Sequence, residues 1–189
     1  LFPFTSVEQT DLETEEVGSL HKKLDKRGSP LKVMYTNTSA EYHRADASLI
    51  HTDTEGRTDI EQGSNTRVYH FAGTEHGLGV WPPTDEGFIV TGTERSQNMR
   101  SVIDYSPLLR ACLLNLDAWV TQGVEPPRSK HPRIKEGTLV SPSELSRVFS
   151  QIRGANYPKR HAIPRRRGFL PEDGTEHPEI LPPEVGEAY

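Results

Sequence analysis

Apolar positions gather into a few short runs, separated by long polar stretches that carry most of the glycine and proline. Over residues 6–28, Val17, Leu20 and Leu24 fall at helical spacing. Lys22, Lys23, Lys26 and Arg27 crowd the end of that stretch, where a helix dipole favours cations. This predicts a helix, closed by Gly28 and broken by Ser29-Pro30. The run 31–37 (LKVMYTN) is short, apolar and β-prone, and predicts a strand. Residues 39–50 read as helical or irregular, with Ala40, Ala47, Leu49 and Ile50 as their apolar content. The polar stretch 53–66 reads as a surface loop.

A second strand is predicted over 67–72 (RVYHFA), followed by the turn Gly73-Thr74-Glu75-His76-Gly77. Residues 77–98 form a Gly/Pro-rich excursion. The clearest helix follows, with Ser106 as N-cap and Pro107 in the first turn. Its stripe from Leu108 through Leu113, Leu116 and Trp119 to Val120 predicts a core-facing side. Gly123 ends it, and Pro126-Pro127 prevents continuation. Ser141-Pro142-Ser143-Glu144 has the form of a capping box opening a short helix through Leu145, Val148, Phe149 and Ile152. The order helix, strand, acidic turn, strand, histidine turn, helix suits the end of a parallel α/β sheet. We therefore expect a domain over 1–153 and an irregular Pro/Arg-rich tail over 154–189.

Composition changes this picture in one respect. Hydrophobic residues make 33% of the 189 positions, and adding the 15 glycines brings the apolar share only to the low forties. A self-contained domain usually shows ~45–50% on that count. The expectation is a sheet whose apolar faces are completed by further chain. The start at Leu1 rather than Met fits a cut from a longer protein.

The net charge of -5 gives no electrostatic case for nucleic acid. No run approaches the ~20 apolar residues of a membrane span. Cys112 is the single cysteine and has no internal disulfide partner. The cluster Arg165-Arg166-Arg167 reads as a solvated segment balanced by the acids at 172, 173, 176 and 179. No cofactor is called for, and the cellular location is open.

In open α/β sheets catalytic groups collect beyond the carboxyl ends of the strands. Glu41 follows the first predicted strand and His76 the second. A catalytic imidazole accepts a proton on one nitrogen and is oriented through the other by a carboxylate. Strands ~4.8 Å apart can bring two such turns within reach. By this reading alone Asp46 and Glu75 compete with Glu41, and a polar loop histidine is the commoner outcome for His76. His70 reads as a packed strand histidine, and His43 and His51 as surface or helix-end residues. A His70/His76 metal pair matches no common zinc spacing, so no metal site is assigned. Trp81-Pro82-Pro83 reads equally as a pocket wall or a loop anchor.

The stretches 32–42 (KVMYTNTSAEY), 47–53 (ASLIHTD), 67–77 (RVYHFAGTEHG), 104–110 (DYSPLLR) and 116–120 (LDAWV), in this order, resemble a family of large, poorly characterised α/β-hydrolase-domain proteins. The likeness continues through 125–129 (EPPRS) and 137–140 (GTLV), and more weakly near 182–186 (PPEVG). It implies an α/β-hydrolase fold with triad order nucleophile, acid, histidine. Glu41 then falls at the acid's place after the seventh strand, and His76 at the histidine's place after the eighth. The chain lacks a G-x-S-x-G elbow. The resemblance thus makes this the C-terminal portion of the fold, inactive and poorly folded alone. It would serve a small-molecule ester hydrolase with the remainder of the same domain, or a non-catalytic binding module.

Overall fold

The structure, a computed structural model, describes residues 5–11, 14–22, 26, 28, 31–43, 47–53, 57–89, 92–157, 166–167 and 179–180. Its first described segment corrects the sequence reading. Instead of a helix, β1 (Gln9–Thr10) pairs antiparallel with β2 (Val17–Gly18). Asp11 organises the turn between them. Its carboxylate accepts the Thr14 amide at 3.2 Å and its carbonyl accepts the Glu15 amide at 3.0 Å. Glu15 takes a positive φ of 56°. Asp and Thr offer the backbone such local bonds in competition with a helix, and three apolar positions at one end were too few to outweigh them. Residues 12, 13, 23–25 and 27 of the expected helix lie outside the described residues, and Lys22 is helical.

The element that places the site is a pair of six-residue strands. β3 (Val33–Thr38) is followed by α1 (Ser39–His43) and α2 (Ser48–His51), and the chain returns as β4 (Thr66–Phe71). β3 and β4 run parallel, in a register that sets Val33 opposite Thr66 and Thr38 opposite Phe71. Both strands therefore end level, and the turns after them start side by side. On the far side of β4, Lys130 extends the sheet: its amide donates to Val68 O and its carbonyl accepts from His70 N, both at 2.8 Å.

The excursion after β4 holds a hairpin that the glycines and prolines concealed, β5 (Glu86–Ile89) against β6 (Gly92–Arg95). α3 (Ser106–Gln122) ends at Gly123, which takes a φ of 73°. Its N-cap position is Tyr105, and Ser106 is the first helical residue. Ser106 spends its hydroxyl and amide on Asp104, at 2.5 and 2.8 Å. α4 (Pro142–Phe149) carries the expected capping box between Ser141 and Glu144. Of the tail, residues 154–157 are described, as is β7 (Arg166–Arg167), paired with β8 (Glu179–Ile180). Arg165 and the acids at 172, 173 and 176 lie outside the described residues.

The expected core stripe of α3 is another correction. Trp119 is buried, but Leu108, Leu113 and Val120 are 49%, 67% and 61% exposed. Among the described residues, the helix meets the sheet along the edge that carries Trp119. There Lys32 donates to the Trp119 carbonyl at 2.7 Å, and the Lys32 and Arg67 cations lie 4.9 and 4.8 Å from its ring.

The interior is built around β4 and α1. Val68 is fully buried, and Tyr42, Ala47 and Leu139 pack together with Ile134. His51, expected as a surface or helix-end residue, does close α2 but is completely buried. Its Nε2 and the Tyr42 hydroxyl share a hydrogen bond of 2.5 Å, and the His131 ring lies 4.6 Å away. Burial, then His131, His70 and Arg133, hold its pKa down at about 3. The unfolded chain therefore takes up a proton that the fold refuses. Stability from this neutral histidine is complete above pH ~6.5 and is lost as pH falls from there toward 3. Its share of the loss is about 1.4 kcal/mol per pH unit. Urea unfolding at pH 7, 6 and 5 should show a shallower acid slope for His51→Gln than for the wild type; equal slopes would refute this.

Candidate active site

The turns after β3 and β4 meet through one hydrogen bond. Glu41 lies in α1, three residues beyond the end of β3, and His76 lies five residues beyond the end of β4. His76 Nδ1 and Glu41 Oε1 are 2.6 Å apart. An ionised carboxylate only accepts, so Nδ1 carries the proton and donates it. The imidazole side chain is 74% exposed, whereas the Glu41 side chain is 16% exposed. Nε2 is thus the nitrogen left for chemistry, with its lone pair available to a proton donor.

Glu41 is held from behind as well. Its Oε2 accepts the Thr38 backbone amide at 2.5 Å and the Thr38 hydroxyl. A glutamate reaching back to the amide three residues earlier is one half of a capping-box exchange. Thr38-Ser39-Ala40-Glu41 is a T-x-x-E sequence opening α1, so this grip was readable, although the sequence reading missed it. Burial pushes the Glu41 carboxyl up, but the bonds from Thr38 and His76 outweigh it and leave the group below the ordinary carboxylate range. It therefore stays ionised opposite Nδ1.

The rival acids part from this geometry. Glu75 is occupied elsewhere: its Oε2 accepts Arg100 Nε and Nη2 at 2.8 and 2.5 Å, and its Oε1 accepts the Ser101 amide at 2.7 Å. Asp46 lies outside the described residues. The His70 ring packs 4.6 Å from that of Tyr42 in an edge contact. The side chain of His43 is outside the described set.

The histidine turn is fixed by partners that no local sequence signal announced. Tyr105 donates its hydroxyl to the His76 carbonyl at 2.6 Å. The Gly73 amide donates to Ser39 Oγ at 2.9 Å, and Ser101 Oγ donates to the Gly73 carbonyl at 3.0 Å. Gly73 takes a φ of 72° that a side chain would strain. Gly79 matters for a different reason: its amide donates to Ile103 O at 3.0 Å. A Cβ there would come 2.3 Å from Ile103 N and Val102 C, both backbone atoms. Gly79→Ala should therefore lower stability by about 1–3 kcal/mol. Gly63→Ala, where a Cβ meets nothing within 4 Å, should leave the urea midpoint in place. Equal midpoints for the two variants would refute the tight approach.

Beside this turn lies an open groove of about 1120 Å³, with Gly73, Thr74 and Glu75 in one wall. Trp81 and Pro83 line it. His76 follows Glu75 directly but does not itself line the groove.

A family described as Alpha/beta hydrolase domain matches residues 5–153. The chain belongs to that family. No curated protein and no solved structure matched it. Among the described residues, no helix of this alpha/beta hydrolase domain is long and apolar enough to cross a membrane.

Proposed function

We propose that this chain supplies the base and its orienting acid to a serine hydrolase acting on carboxylic esters, as the C-terminal portion of the hydrolase domain. His76 is the base and Glu41 its positioning partner. The observation that carries this reading is the 2.6 Å bond between Nδ1 of an exposed imidazole and a clamped, ionised carboxylate.

In the proposed reaction, a serine hydroxyl from outside residues 1–189 attacks the ester carbonyl and gives its proton to Nε2. The imidazolium returns that proton to the departing alkoxide, leaving an acyl-enzyme. Water then attacks the acyl-enzyme, again giving its proton to Nε2, and the serine is regenerated. Glu41 fixes the tautomer and stabilises the imidazolium in both halves. The isolated chain, without the serine, should be inactive.

Labelling of the intact protein by a fluorophosphonate tests this. A serine outside residues 1–189 should become phosphonylated, and His76→Ala should slow that labelling at least a hundredfold. Absence of labelling in the wild type would overturn the hydrolase and leave a hydrolase-like binding module.

A further inference from the structure

We infer that the groove beside the His76 turn is a recognition site for the apolar part of an uncharged ester. This rests on the hydrolase reading for the word ester and on the groove's own residues for the rest.

The groove's apolar lining is unusually open to water. Trp81 is 78% exposed and Met99 67%, with Val102 and Ile103 also exposed beside them. Large apolar side chains left in a concave surface favour a ligand that removes them from water. The Gly79–Ile103 approach brings the segment before Trp81 against Val102 and Ile103.

The charged lining selects against anions. Its charged residues are Glu75, Asp85, Arg95 and Arg100. They cancel in two pairs, Arg100 on Glu75 at 2.5 Å and Arg95 on Asp85 at 3.6 Å. Arg95 is also 2.8 Å from Glu86. Among the described lining residues both arginines are thus engaged by acids, and neither is free to receive a carboxylate or phosphate. At the polar end, Ser96 donates to Asn98 O at 2.6 Å and Asn98 donates to Asn156 O at 3.0 Å. The Ser96 hydroxyl and one Asn98 N–H are thus already spent within the protein. An acyl or alkyl chain along Trp81 and Ile103 would leave its carbonyl at the wall that His76 continues.

Tryptophan fluorescence reads this directly, because Trp81 lies in the groove while Trp119 is buried against Lys32 and Arg67. The probes are ethyl acetate, butyrate, hexanoate and octanoate, with octanoate anion as the charged comparison, titrated into the intact protein. The emission of Trp81 should shift to shorter wavelength, with affinity rising about tenfold per two methylenes. Octanoate anion should bind at least tenfold more weakly than ethyl octanoate. Trp81→Phe should abolish the spectral change while leaving the unfolding midpoint unaltered. Met99→Asp should weaken binding of the longest ester at least tenfold. His76→Ala should bind the esters as the wild type does, which separates the groove from the chemistry. Binding without turnover would sink the hydrolase and keep the groove. Affinity independent of chain length, octanoate binding as well as its ester, or a shift that survives in Trp81→Phe would overturn the groove.

Discussion

Replacing His76 with alanine is expected to lower kcat for a short-chain aryl ester by about 10³-fold or more in the intact protein. The loss follows from where the proton must go. Once the imidazole is gone, Glu41 still lies at the site, but its Oε2 is committed to Thr38. A carboxylate held below its ordinary range is also a weak acceptor for a hydroxyl proton. The variant should fold normally, because the side chain is 74% exposed and only its backbone carbonyl, bound by Tyr105, ties the turn to α3. Wild-type turnover by a correctly folded His76→Ala protein would remove the histidine from the mechanism.

The second large effect is expected at Glu41→Gln, about 10²- to 10⁴-fold in kcat with KM little changed. The amide keeps the shape but can offer N–H where the carboxylate offered a lone pair. Nδ1 would then be pushed toward the acceptor tautomer, moving the proton to Nε2, where it blocks uptake from the nucleophile. The double variant separates positioning from mere structure. If Glu41 acts through the imidazole, Glu41→Gln added to His76→Ala should cost almost nothing more. Full additivity of the two losses would show that Glu41 works by some other route.

The turns that carry these residues were legible for a local reason, whereas the choice of Glu41 and His76 came from the family resemblance. β3 and β4 announce themselves through Val33, Tyr35, Val68 and Phe71, and a turn after a strand is where an α/β sheet keeps its chemistry. Choosing Glu41 over Glu75 was not possible from spacing, because the choice depends on Arg100, twenty-five residues beyond Glu75. The Tyr105 and Ser101 contacts were invisible for the same reason. His51 shows the reverse difficulty: a histidine closing a short polar-looking helix is buried because Tyr42 and His131 cover it from distant positions. At the other extreme, the capping box at Ser141 is wholly local and was read correctly. The hairpin β5–β6 escaped because its Gly87 and Gly92 looked like loop, whereas cross-strand pairing sets it.

The two ion pairs along the groove have a kinetic meaning as well. A site that captures charged molecules draws them from solution through a long-range field, and its encounter rate falls as salt screens that field. Glu75 with Arg100, and Asp85 with Arg95, close their field lines on each other within a few ångströms. A neutral ester feels no such field and arrives by undirected diffusion. The kcat/KM for a neutral ester should stay within about twofold between roughly 10 mM and 500 mM sodium chloride; a steep decline would show that salt acts on the site or the fold rather than on the approach.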